Sequence, residues 1–130
     1  MIYVDLDRFK PVNDTLGHAA GDELLQRVAE RLCEASRDSD LVGRLGGDEF
    51  LVVLHDVPGT EMAMRVSARI GESLREPFVL ASGRVQLSAS VGVICAAAGS
   101  ASADELVRAA DEAMYRSKDA GRGEPVLTSA

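Results

Sequence analysis

A basic stripe is what this 130-residue chain lacks: 21 Asp and Glu stand against 14 Lys and Arg, a formal net charge of −7. Binding a nucleic-acid backbone calls for clustered Lys and Arg, so no nucleic-acid partner is expected. An acidic chain can still take an anionic small molecule where a metal ion supplies positive charge locally. Long apolar runs are missing too. Met1-Ile2-Tyr3-Val4 is apolar, but Asp5 and Asp7 interrupt it at once, so neither a membrane span nor a signal peptide is expected. Cysteine is scarce. Cys33 and Cys95 lack metal-ligand spacing and read as buried free thiols in a reducing compartment, which implies the cytoplasm. His18 and His55 are too far apart in sequence to suggest zinc. No repeat or low-complexity stretch is visible. With 46% apolar and 27% charged residues, the chain reads as one globular domain.

What is present centres on Arg44-Leu45-Gly46-Gly47-Asp48-Glu49-Phe50. Two glycines and two acids sit between the apolar runs Leu41-Val42 and Phe50-Leu51-Val52-Val53-Leu54. That spacing predicts a β-hairpin whose turn sets carboxylates beside bare backbone. Glycine permits positive φ and lets a bulky ligand approach the main chain. Acids crowded at a strand tip are costly unless a cation lies between them, which suggests a divalent metal with a polyphosphate. Alone, the heptapeptide fits an ordinary Gly-Gly hairpin with a solvated acidic tip equally well.

Around it, strand and helix patterns alternate. Residues 1–7 read as a strand, and Pro11 to Leu16 as a short helical turn stopped by Gly17. Residues 22–36 read as an amphipathic helix with Leu24, Leu25, Val28, Ala29, Leu32 and Cys33 on its inner face. The hairpin follows, at 41–45 and 49–55. Thr60 can cap a helix over 61–75 with Met62, Val66, Ile70 and Leu74 inward. Residues 77–81 and 84–95 form a second hairpin around Ser82-Gly83, its later arm half-buried by alternation. Ser102-x-x-Glu105 is a capping box opening a helix over 103–118, which Gly121 stops. An edge strand near Val126 can follow. The order β-α-β-β-α-β-β-α predicts an α+β fold, a ferredoxin-like palm with a mainly antiparallel central sheet and flanking helices. In that fold the end of strand one and the hairpin turn lie side by side, which would gather Asp5 and Asp48 into one acidic cluster.

Asp5-Leu6-Asp7 sets two carboxylates on the same side of strand one, because side chains alternate. With Asp48 they offer three hard oxygen donors of the kind Mg²⁺ prefers. Two such ions can clamp the attacking and leaving oxygens of a phosphoryl transfer. Lys10, Lys118 and Arg122 are the available counter-charges for a triphosphate. Singly, each of these residues also fits a solvated strand end or a helix C-terminus.

Together they carry a resemblance. Asp5-Leu6-Asp7-Arg8-Phe9-Lys10-x-x-Asn13-Asp14-Thr15-Leu16-Gly17-His18-x-x-Gly21-Asp22 resembles the first-strand signature of the GGDEF-domain diguanylate cyclases. Arg44 to Phe50 matches the motif that names them. Ala89-Ser90-Val91-Gly92-Val93 resembles a later strand, and Asp111-x-Ala113-Met114-Tyr115-x-x-Lys118-x-x-Gly121-Arg122 the last helix. The resemblance covers residues 1–124 as the catalytic domain and leaves 125–130 as a tail. It also implies a helix ahead of strand one, introduced by an Asp-x-Leu-Thr-x-Leu-x-Asn-Arg run, to which nothing in this chain corresponds.

The resemblance implies condensation of two GTP into cyclic di-GMP and two pyrophosphates, with Mg²⁺ or Mn²⁺, across a homodimer. Asp5, Asp48 and the backbone carbonyl of Leu6 are the implied metal ligands. Asp48 is also the implied residue without which catalysis stops, and Glu49 is implied to support the site, with a metal-ligand role as its other candidate part. Asn13 and Asp22 are implied to read the guanine edge, Lys10, Lys118 and Arg122 to hold phosphates, and Gly46 and Gly47 to let the substrate lie against the hairpin. Arg37-x-x-Asp40 falls at the spacing of the family's product-inhibition site, with Arg65 or Arg69 as a candidate third member. Arginine can fork onto a guanine edge or phosphate while aspartate accepts from guanine. A fused sensory domain is expected in the full-length protein, and no membrane contact by this domain. The alternative reading is a nonenzymatic module that binds GTP or cyclic di-GMP.

Overall fold

The computed structural model describes residues 1–119 and 125–129. The elements run β1 (Ile2–Asp7), α1 (Phe9–Leu16), α2 (His18–Ala35), β2 (Leu41–Gly46), β3 (Glu49–Val53), α3 (Thr60–Arg75), β4 (Phe78–Leu80), β5 (Gly83–Val85), β6 (Ser88–Cys95), α4 (Ala103–Asp119) and β7 (Val126–Ser129). The central sheet has the order β2-β3-β1-β6-β7. Every neighbouring pair is antiparallel except β6 and β7. The crossovers from β1 to β2 and from β3 to β6 each skip one strand, so β3 lies between β1 and β2, while the α4 crossover joins the neighbours β6 and β7. This is the expected α+β palm.

Alternation along β1 divides the labour of the sheet. Ile2, Val4 and Leu6 enter the main core with Leu24, Val28 and Leu32 of α2 and Val66, Ile70 and Leu74 of α3. Tyr3, Asp5 and Asp7 take the opposite face, which α4 covers through Ala110 and Met114. All six residues of β1 are therefore buried. Gly92 on β6 makes the α4 contact possible, since a Cβ there would collide with the backbone of Ala110 and Met114. Buried on both faces, β6 is not the half-buried strand that its alternation predicted.

Three other expectations shift. The stretch read as one strand over 84–95 breaks after Val85: β4 and β5 form a separate two-stranded sheet, and β6 starts at Ser88. Ser88 is where pairing with β1 begins, opposite Asp7, and earlier residues have no partner strand there. Apolar alternation continues through Leu87, so nothing in the pattern marks the break. α2 begins at His18, four residues earlier than expected, with Gly17 at a φ of 93° separating it from α1. α3 starts at Thr60 with Gly59 as its cap residue and no side-chain capping bond. The capping box of α4 forms as expected, with the Ser102 N–H donating to Glu105 Oε2 at 2.7 Å and the Glu105 N–H to Ser102 Oγ at 3.3 Å. The expected stop at Gly121 lies outside the described residues. Among those described, no helix is long and apolar enough to cross a membrane.

Candidate active site

The site begins where β1 ends. Asp5 stands opposite Glu49 in the β1–β3 register, which brings the β2–β3 turn alongside. The Leu6 N–H donates to the Asp48 carbonyl at 3.1 Å and pins the turn to the strand. Gly46 and Gly47 adopt φ of 151° and 49°, values that only glycine takes without strain. Arg44 Nε closes the turn by donating to the Gly47 carbonyl at 2.9 Å. Asp5 and Asp48 thus share one spot, as the topology implied.

Three polar pairs follow one another along the α4 face of β1. Tyr3 Oη donates to Glu49 Oε2 at 2.9 Å. Lys118 Nζ donates to Asp5 Oδ2 at 2.8 Å, from the last turn of α4. Asp7 accepts from Ser88 Oγ and Ser90 Oγ, each at 2.9 Å. Asp7 is therefore committed to the serines of β6, which corrects the reading of three free carboxylates. Among the described residues, no group of three or more His, Cys, Asp or Glu could hold a metal ion. The carboxylates that meet at this spot are Asp5 and Asp48, with Glu49 opposite Asp5 in the strand register.

Charge and burial agree on the character of the spot. Burial pushes the Asp5 carboxyl above the usual carboxylate range, and the charges of Asp48 and Asp7 add to the rise, against the pull of Lys118. Burial works to lower the Lys118 ammonium, but Asp5, Asp7 and Asp48 outweigh it and hold its pKa above the ordinary lysine value. Tyr3 is likewise raised, first by burial and then by Glu49, so its hydroxyl stays a donor. An acid-rich spot that already gathers an ammonium has the donor chemistry of a hard divalent cation site.

A cavity of about 500 Å³ opens between α2 and β2, lined by Asp22, Leu25, Gln26, Ala29, Cys33 and Arg44 among others. Ala29 and Cys33, expected in the core, face this cavity, and Cys33 is exposed. Phe50 reaches it from the first position after the acidic pair. Asn13 on α1 lies directly over Gly21, where any Cβ would overlap its carboxamide. Asn13 and Asp22 are thereby brought to the same end of α2. Lys10 is exposed on the first turn of α1. Arg122 lies outside the described residues.

Arg37 and Asp40 sit apart, before β2, and the six residues of that strand separate them from the acidic turn by roughly 20 Å. The guanidinium of Arg37 meets Asp40 Oδ1 at 3.1 Å, and the Arg37 N–H donates to Asp40 Oδ2 at 2.8 Å. The same guanidinium donates to the His55 carbonyl, and the His55 N–H donates to Asp40 Oδ1. Burial works against the Asp40 charge, but these bonds outweigh it and hold its pKa below the usual range. Arg69 donates to the Ala35 carbonyl at 2.6 Å, nearby on the α2 terminus.

Sequence reasoning missed Tyr3, Ser88, Ser90 and Arg44. Alternation alone could have found Tyr3, since it shares a side with Asp5. The serines become visible only with the β1–β6 register.

Residues 1–124 match the family model described as diguanylate cyclase, GGDEF domain. The probable diguanylate cyclase DgcE of Escherichia coli is 41% identical over 124 residues, which are 95% of this chain and 11% of that protein. The cyclic di-GMP phosphodiesterase NbdA of Pseudomonas aeruginosa is 40% identical over 122 residues, 94% of this chain and 16% of that protein. This chain thus spans a small part of the curated relatives it matches. The crystal structure of the GGDEF domain of YfiN (TpbB) from Pseudomonas aeruginosa aligns with a TM-score of 0.92 at 38% identity, covering 99% of this chain and 81% of that one. In sequence and in fold, the chain belongs to the GGDEF domain family of diguanylate cyclases.

Proposed function

We propose that the chain condenses two GTP into cyclic di-GMP and two pyrophosphates across a homodimer. The observation that carries this reading is the convergence of Asp5, Asp48 and Lys118 at the end of β1, in a chain that also holds a cavity of about 500 Å³ edged by Asp22. Diguanylate cyclases of this family are metal-dependent; here Asp5, Asp48 and the Leu6 carbonyl would hold Mg²⁺ or Mn²⁺. Bound there, the cation supplies charge neutralisation at the phosphates. Asn13 and Asp22 take the guanine edge, Asp22 accepting from the ring N–H and the amino group. Adenine lacks those donors, and leaving the acceptors unpaired penalises it. Lys118 has an acid-rich surround that keeps it charged for phosphate, and Lys10 and Arg122 join it. Glu49 supports the turn, and Gly46 and Gly47 keep its backbone open to the substrate.

One copy positions one GTP, so two copies must face each other before each 3′-oxygen can reach the other's α-phosphorus. Rate enhancement then comes from positioning and electrostatics. Arg37 and Asp40, a strand's length away, form the inhibitory product site, with Arg69 the better placed of the two candidate third members. The stretch expected as a tail after residue 124 instead joins the domain, because β7 pairs with β6 in the central sheet. The domain works in the cytoplasm and is fused to a sensory domain in the full-length protein.

The test is nucleotide chromatography after incubating the concentrated protein with GTP and Mg²⁺, beside Asp48→Asn. Cyclic di-GMP from the parent and none from the variant is expected. The alternative is a nonenzymatic GTP- or cyclic di-GMP-binding module. GTP binding without turnover would establish that reading instead.

A further inference from the structure

Tyr3 is packed with Ile94, Ala110 and Met114 and is only 5% exposed. A phenol hydroxyl buried in such a cluster needs an acceptor, and it takes Glu49 Oε2 at 2.9 Å. Glu49 in turn faces Asp5 across the β1–β3 pair. Like charges directly opposite one another destabilise a sheet, and a carboxylate in that position gains by turning away. The Tyr3 bond prevents free rotation: it commits one Glu49 oxygen to the Tyr3 side and keeps the carboxylate on the α4 face with Asp5.

We propose that Tyr3 is a positioning residue for Glu49, its hydroxyl presetting the second acid of the turn for a divalent cation that arrives with GTP. The inference rests on the cyclase reading of the site, because that reading places cation and nucleotide beside the turn. Tyr3 does not touch either; it acts through the carboxylate it holds. The ring serves the α4 packing and the hydroxyl serves the site, so the two roles separate in Tyr3→Phe.

The experiment titrates Mn²⁺ into the protein in the presence of a non-cyclising GTP analogue, followed by electron paramagnetic resonance, with thermal midpoints recorded in parallel. Tyr3→Phe should weaken Mn²⁺ binding about tenfold, as expected when a partner orienting a ligand is lost. Its midpoint should stay close to the parent's. Glu49→Gln should weaken binding at least as much, and the double variant no further than Glu49→Gln alone. Unchanged Mn²⁺ affinity in Tyr3→Phe, or losses that simply add in the double variant, would overturn the proposal. So would a parent protein that binds no Mn²⁺ with the analogue. A parent that binds Mn²⁺ and analogue yet makes no cyclic di-GMP sinks the cyclase reading, while the affinities still decide the role of Tyr3.

Discussion

Lys118 Nζ lies 2.8 Å from Asp5 Oδ2, closing the last turn of α4 onto the end of β1. A cation entering this spot meets an ammonium already there. Lys118→Ala should therefore melt earlier than the parent in the absence of metal. The cost is held to about 1 kcal/mol because a third of the lysine side chain is exposed. Added Mg²⁺ should raise the variant's melting temperature more than the parent's, since Asp5 has lost its competitor. Equal rises in thermal melts with and without Mg²⁺ would show that lysine and metal do not contend for Asp5.

Gly21→Ala separates folding from recognition. Alanine within a helix is favoured over glycine by about 1 kcal/mol. At this position, however, the added Cβ overlaps the Asn13 carboxamide. We expect GTP affinity to fall about tenfold, or about 1.4 kcal/mol, with little change in thermal stability. Calorimetric titration with a non-cyclising GTP analogue measures it; retained affinity would remove Asn13 from the binding site.

The Arg37–Asp40 pair ties inhibition to stability. Asp40 has a fully enclosed side chain, so Arg37→Ala should relieve product inhibition and also cost about 1 kcal/mol, since the carboxylate loses the guanidinium and keeps the backbone N–H groups of residue 37 and His55. Inhibition by cyclic di-GMP that persists in the variant would exclude the site. The pH sign follows from the lowered Asp40 pKa. A carboxylate depressed in the folded state contributes stability above its unfolded value, near about 4, and loses it as pH falls through the folded value. Asp40→Asn should be less stable than the parent near neutrality, with the gap in urea midpoints closing as pH drops below about 4.

Cys33 lines the cavity that Asp22 edges, and Cys95 lines a different one near the chain start. In a Cys95→Ser background, GTP with Mg²⁺ should slow alkylation of Cys33 by at least about fivefold, the effect of excluding reagent from an occupied pocket. Mass spectrometry of the labelled peptide reads the rate. Unaltered labelling at saturating GTP would place the nucleotide elsewhere.

Much of the fold was legible because β1, α2, α3 and α4 carry unbroken periodic patterns, and Ser102 with Glu105 announced a helix start that forms as read. The two-sheet split near Gln86 was not legible, because Leu87 continues the alternation across a break that only the reach of β1 decides. Asp5, Asp48 and Lys118 were found through motif and spacing, and the structure gathers them. Asp7 was misread, since its serine partners come from β6, some eighty positions later in the chain. Cys33 was misplaced for a related reason: helical periodicity counts a wall facing a cavity as core.

β1 has one face in the main core and the other in the polar row, with neighbours on both edges. Its amides should be among the last in the molecule to exchange with solvent, while those of β2, an exposed edge strand, should exchange early. Asp5 thus rides on the slowest-opening part of the molecule, while Asp48, in the β2–β3 turn, and the cavity wall formed by β2 adjoin the fastest. Substitution early in β2, at Val42 or Gly43, can alter that wall without touching Asp5, whereas Arg44 joins the wall to the turn that carries Asp48.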